Sequence, residues 1–283
     1  MRRADFLVSA GVAAFAACVP VCGSARSAAV GLEGRSAVPV VRARAGAREL
    51  VLLIDTGHPE SMLSVQAADA LGLARTPAPN AAFARATLSG VTVAQTVLRD
   101  HPVLVGDVSS STAAVGSPVD GSLGYQAFRD RVVTIDFRNR RLAFPDTLPD
   151  GEATAITWLK FDDASPELVT FDGLMIDGFP ATAQLDTSVS KYVIIFTTKL
   201  PDVAIDNAPK DPLYTYRGVT LPPGKVGSVR LGVTTLRAPG VVVYGAGAEA
   251  HVPTSAIAAV AGSGLFARRA VTLDFPNSAL IVS

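Results

Sequence analysis

Two Asp-Thr-small tripeptides, each closing an apolar run, carry the chemistry open to this chain. The first is Leu52-Leu53-Ile54-Asp55-Thr56-Gly57 and the second Ala183-Gln184-Leu185-Asp186-Thr187-Ser188, with the two aspartates 131 residues apart. A fold that brings both loops together sets two carboxyl groups face to face. Carboxylates about 3 Å apart cannot both ionise, so one keeps a proton. The ionised member can take a proton from a water held between them while the neutral member donates to a carbonyl. Such a pair titrates as a unit, so acid and base are not assigned separately to Asp55 and Asp186. No cofactor is needed for this chemistry.

The tripeptides sit at matching places in a longer internal repeat. Val132-Val133-Thr134-Ile135-Asp136-Phe137-Arg138-Asn139, then Leu142-Ala143-Phe144, is echoed by Ala270-Val271-Thr272-Leu273-Asp274-Phe275-Pro276-Asn277, then Leu280-Ile281-Val282, at an offset of 138. Gly124 and Phe128 correspond to Gly262 and Phe266 at the same offset. Self-similarity over half a chain predicts a gene duplication rather than a short-period solenoid. The drift from 131 to 138 needs a net seven-residue insertion in the second copy, and the Pro- and Asp-rich stretch Asp202 to Lys225 is the place for it. Asp136 and Asp274, paired by the repeat and each preceding a turn, are expected to make local hydrogen bonds rather than do chemistry.

The elements that must position the aspartates read as short strands. Val38 to Arg44, Glu49 to Ile54, Ala86 to Val93, Val103 to Val105, Val132 to Phe137 and Leu142 to Phe144 are rich in Val, Ile, Leu and Thr and are separated by Gly, Pro, Asp or Asn. The second half repeats the style in Val169 to Phe171, Leu174 to Ile176, Val226 to Leu231, Gly240 to Tyr244 and Val271 to Phe275. The fold class is all-β with frequent hairpins and a few short helices. Ser64 is placed to cap a helix over Val65 to Leu71, with Gly72 as a left-handed stop. Shorter helices are expected at Tyr125 to Phe128 and Pro253 to Ala261. The Pro-Asp-Gly cluster near Pro145 to Ala153 divides an N-terminal unit, 26–147, from a C-terminal unit, 148–283.

Composition bounds the function. The chain has 283 residues, 49% hydrophobic and 18% charged, with 25 basic and 25 acidic side chains. That is neither a disordered nor a nucleic-acid-binding composition. Residues 1–25 have the layout of a secretory signal: Arg2-Arg3, an apolar stretch from Phe6 to Ala17, then small residues to Ala25. The paired arginines resemble a twin-arginine signal, and export to the periplasm or beyond is expected. The apolar run is too short for a membrane span. Phe15-Ala16-Ala17-Cys18 also resembles a lipoprotein cleavage box, so lipid anchoring at Cys18 is the alternative to soluble export. Cys18 and Cys22 are the only cysteines, so cleavage after Ala25 leaves a mature chain without thiol chemistry. His58, His101 and His251 are too scattered to form a metal site, and none is expected. Neither a Gly-x-Ser-x-Gly elbow nor a phosphate loop of the Walker type is present.

From Leu53 to Gly57, through Val119-Asp120-Gly121-Ser122-Leu123-Gly124-Tyr125, to the strand Val132 to Phe137, the chain resembles the pepsin/retropepsin family of aspartic proteases in a bacterial, exported, two-lobed form. The match extends over roughly residues 36–283. It implies two pepsin-like β-barrel lobes related by internal duplication and a monomeric endopeptidase that hydrolyses peptide or protein substrates with Asp55 and Asp186. It also implies that Thr56 and Thr187 brace the two loops, that Gly57 lets backbone approach the carboxylate, and that Gly121 packs behind the first loop. The chain departs from the family in three places. Ser188 stands where Gly is usual, His58-Pro59-Glu60 follows the first motif, and Ala259 is the counterpart of Gly121. The usual aromatic-Gly signature of a covering flap is missing, leaving Phe83, Tyr214 and Tyr216 as candidates for that role. These departures keep open a second class of function, a pepsin-like protein that binds extended peptides without cleaving them.

Overall fold

The computed structural model describes residues 29–34, 36–159, 167–216, 218–245 and 257–283. Within them the chain is mostly β, in curled sheets of nine, fifteen and two strands, with short helices at Val65–Ala70 and Ser109–Val115. Residues 1–25, expected to be a secretory signal, both cysteines and His251 lie outside these residues.

The strand leading to Asp55 shows how sequence sets position. Val40–Ala45 alternates buried and exposed side chains, as a strand with one wet face should. It turns back through Gly46, at φ +59°, into Arg48–Asp55. There Leu52, Leu53 and Ile54 are buried in succession. Three adjacent buried residues require cover on both faces, so the carboxyl group at the end of this strand is anchored in the interior. In the second half Asp177 and Gly178, both at positive φ, form the tight turn into Phe179–Asp186. That strand likewise runs into Ala183, Gln184, Leu185 and Asp186, all buried.

Both halves repeat one order of pairings. Arg48–Asp55 lies parallel to Gly121–Gly124, which pairs antiparallel with Ser61–Ser64, which runs parallel to His101–Gly106, followed by Ala84–Leu88 and Thr76–Pro77. Phe179–Asp186 lies parallel to Ala259–Gly262, then come Val193–Phe196, Gly240–Tyr244, Pro223–Lys225 and Asp206–Asn207 in the same senses. One element breaks the match. Between Asp206–Asn207 and Pro223–Lys225 the second half carries a separate hairpin, Tyr214–Tyr216 with Val219–Leu221. It lies inside the stretch to which the offset drift assigns the insertion.

A shared sheet joins the halves. Val132–Asp136 pairs antiparallel with Ala270–Asp274, centred on Thr134 opposite Thr272, whose hydroxyls meet at 2.8 Å. Phe137 stacks on Phe266, and Tyr125 packs between Trp158 and Phe275. The Tyr125 hydroxyl donates to the Glu167 carbonyl at 2.5 Å, and burial pushes its phenol up to about 12. Asp136 and Asp274 each accept from the asparagine three residues on, through both its N–H and its amide.

Some expected elements are met and others corrected. Helix Val65–Ala70 is capped by Ser64, whose Oγ accepts from the Ala67 N–H at 3.1 Å, and Gly72 sits at φ +64°. No helix covers the described part of Pro253 to Ala261. Ala259–Gly262 is a strand, flanked on both sides by other strands, and its small side chains fit that gap; residues 253–256 lie outside the described set. The segment Ala86 to Val93 is two strands broken at Gly90, and Leu168–Ile176 is one strand with a register shift at Gly173. Ser109–Val115 forms a helix that is not among the expected ones.

His101 is buried in the first half, only 2% exposed. Its Nδ1 hydrogen-bonds the Arg99 carbonyl at 2.9 Å, while Nε2 lies buried without a hydrogen-bond partner. Burial lowers its pKa, so the folded chain holds the ring neutral. The unfolded chain protonates it near roughly 6.5, so the unfolded state binds more protons below that value. Stability from this residue is therefore present above pH ~6.5 and is lost as pH falls. The denaturation midpoint of the wild type should drop between pH 7 and pH 5, and His101→Leu should lose less over that interval. Equal losses in both proteins would refute this assignment.

Candidate active site

The two Asp-Thr loops meet, and their threonines tie them together. The Thr56 N–H donates to Thr187 Oγ1 and the Thr187 N–H to Thr56 Oγ1, both at 3.1 Å. Each hydroxyl then donates across the seam, Thr56 to the Leu185 carbonyl at 3.1 Å and Thr187 to the Ile54 carbonyl at 2.7 Å. The four bonds join residues about half a chain apart, and both threonines are essentially fully buried. Ser263 adds a hydroxyl bond to the Thr187 carbonyl, and Gln184 Nε2 donates to the Gly57 carbonyl at 3.0 Å.

Gly57 is where the carboxyl groups converge. Its N–H donates to Asp55 Oδ1 at 3.0 Å. A methyl group added at its Cα would overlap the Asp186 carboxyl, lying 2.6 Å from Oδ1 and closer still to Cγ and Oδ2. One glycine therefore touches both acids. Asp186 is 4% exposed and Asp55 half-buried. Opposite Asp55 in the parallel pair stands Gly124, and opposite Asp186 stands Gly262.

Gly121 lies behind the first loop, three residues before the glycine opposite Asp55. It pairs with Leu52, and a side chain there would meet the Met62 backbone, so it spaces strands rather than contacting a carboxylate. Its counterpart Ala259 lies between Ala183 and Ile195, fully buried, where a methyl is accommodated. The glycines beside the acids are Gly124 and Gly262, already matched by the 138-residue offset. At Gly124 a Cβ would lie 2.5 Å from the carbonyl oxygens of Pro59 and Glu60.

Ser188 supplies its aspartate with the same backbone donor that Gly57 supplies to Asp55. Its N–H donates to Asp186 Oδ1 at 3.0 Å, the same length as the Gly57 bond to Asp55, and its hydroxyl donates to that oxygen at 2.6 Å. His58 lines the cavity, half-buried rather than solvent-exposed, with Nδ1 bonded to the Glu60 carbonyl at 2.8 Å.

Above the acids lies a cavity of about 520 Å³. The first half lines it with Leu53, Pro59, Met62 and the Ser110, Ser111 and Ala114 face of the unexpected helix; the second lines it with Leu168 and Val189. Tyr214, Thr215 and Tyr216 of the extra hairpin close one side. The Tyr216 hydroxyl reaches Asp186 Oδ2 at 3.4 Å. Burial and the Asp186 charge raise the Tyr214 phenol, against hydrogen bonds from Ser190. Phe83, the first-half candidate for covering the cleft, packs on Gly106 and does not line the cavity. The aromatic-x-Gly of the hairpin, Tyr216 followed by Gly218, was the available sequence signal for cover from the second half. Among the described residues no cluster of His, Cys, Asp or Glu could hold a metal ion, and no helix is long and apolar enough to cross a membrane. Neither family models nor curated proteins yield a match to this chain.

Proposed function

We propose that the chain is an exported aspartic endopeptidase made of two pepsin-like lobes, 26–147 and 148–283, related by duplication. The observation that carries this reading is the convergence of both carboxyl groups on Gly57 beneath an apolar-walled cavity. A water between Asp55 and Asp186 would lose its proton to the ionised acid as it attacks the peptide carbonyl, while the other acid protonates the carbonyl oxygen. The fixed N–H bonds from Gly57 and Ser188 orient the acids without reorganisation during the reaction. An extended peptide, laid strand-like along the cleft, is the substrate that suits such walls. Export rests on the leader at residues 1–25.

The alternative, peptide binding without cleavage, draws on Ser188 in place of glycine. The Ser188 N–H still donates to its aspartate as the Gly57 N–H does, which favours catalysis.

The test is cleavage of a denatured protein by the purified mature chain from pH 3 to pH 7. Asp55→Asn and Asp186→Asn should each lower the rate by on the order of 10³-fold or more while the far-UV circular dichroism stays unchanged. Full activity in either variant would end the mechanism. A folded wild type inactive at every pH would move the reading to the binding protein.

A further inference from the structure

We infer that Tyr216 is a positioning residue of the site, delivered by a hairpin that only the second half carries. The inference rests on the endopeptidase reading for its kinetic consequence, though not for its geometry. In the first half only residues 78–83 separate Thr76–Pro77 from Ala84–Leu88, whereas in the second residues 208–222 separate the matching strands. The added length folds as Tyr214–Tyr216 against Val219–Leu221, with Gly218 at φ +79° in the tight turn. The insertion therefore brings a side chain to the acids that has no counterpart across the seam.

The ring of Tyr216 is fixed by packing. It is 6% exposed and belongs to a cluster with Val189, Ile194, Leu221, Tyr244 and Val260. Its ring meets Tyr244 edge-on at 6.5 Å, and Tyr244 in turn packs on Phe196. A phenol held this way has little freedom to swing out, since leaving would expose an aromatic ring to water.

The two oxygens of Asp186 have different surroundings. Oδ1 takes the N–H and hydroxyl of Ser188 from its own loop. Oδ2 faces the Tyr216 hydroxyl at 3.4 Å. That separation is long for a hydroxyl bond, as catalytic hydrogen bonds often are before substrate binds and tightens them. With one oxygen held by the loop and the other met by the hairpin, the carboxyl group is fixed where it lies against Gly57. The other titratable groups that line the cavity with Asp186 are Asp55, Tyr214 and His58, and Tyr214 is near enough to respond to the Asp186 charge.

Tyr216→Phe keeps the ring and removes the hydroxyl. It should lower kcat by roughly tenfold with KM within about twofold, and move the acidic limb of the pH–rate profile toward neutral, because a donor to a carboxylate has been lost. An unchanged kcat and profile would reduce Tyr216 to packing, and a raised kcat would make the hydroxyl an obstruction; either overturns the inference. Should the wild type prove inactive, the endopeptidase reading fails while this one stays testable. In protein labelled with ¹³C at the Asp carboxyls, with Asp186 assigned through Asp186→Asn, Tyr216→Phe should shift the Asp186 signal at fixed pH. An unmoved signal would overturn the positioning role on its own.

Discussion

Gly57→Ala is expected to abolish peptide cleavage while leaving a folded protein. The added methyl would overlap the Asp186 carboxyl group, reaching 2.6 Å from Oδ1. Real Cβ atoms do not approach so closely, so something must move. Gly57 is held by its own N–H on Asp55 and by Gln184 on its carbonyl. Asp186 is the partner that must give, because the Gly57 backbone is tied at both its N–H and its carbonyl whereas the carboxyl group ends a side chain that lines the cavity. Displacing a catalytic carboxyl by about 1 Å costs on the order of 10² in rate, and losing the shared water costs more. A fall in kcat/KM of at least ~10² is therefore expected, with near-native thermal unfolding. Ser188→Ala is the contrasting substitution. It retains Cβ and the N–H bond and should leave far more activity. Equal losses in the two variants would mean that the convergence on Gly57 is not what matters.

The second large effect belongs to stability. Thr56→Val removes a hydroxyl that accepts from Thr187 and donates to Leu185; Thr187→Val removes the mirror pair. Valine has the same shape, so packing survives while a buried N–H and a buried carbonyl each lose a partner. Leaving such groups unsatisfied costs about 1–3 kcal/mol apiece. Each single variant should lose about 2–6 kcal/mol by urea unfolding at pH 7. The double variant should lose less than the sum, since the first substitution already loosens the seam whose remaining bonds the second removes. Additive losses would indicate two independent contacts in place of one linked unit.

Strands were legible where burial is one-sided or continuous, as at Val40–Ala45 and Arg48–Asp55, because alternation and apolar runs are local signals. The Ser64 cap was legible for the same reason. Ala259–Gly262 was not: a run of Ala, Val, Ala and Gly suits a helix by propensity and a buried strand by size, and only the flanking strands decide. That Gly124 and not Gly121 stands opposite Asp55 is decided by strand register, which a motif does not carry. Asp55 and Asp186 could be paired through the repeat. The hydroxyl of Tyr216 at Asp186 could not, because it depends on where the inserted hairpin folds.

The pairing of Val132–Asp136 with Ala270–Asp274 has a consequence for the order of folding. Thr134 and Thr272, opposite one another at its centre, are 138 residues apart in the chain, and Glu152–Leu159 reaches nearly as far forward to pair with Ala279–Val282. Contacts of such long sequence separation form late. The hairpins within each half are therefore expected to form first, and the alignment of Asp55 with Asp186 to be among the last features of the fold to become fixed.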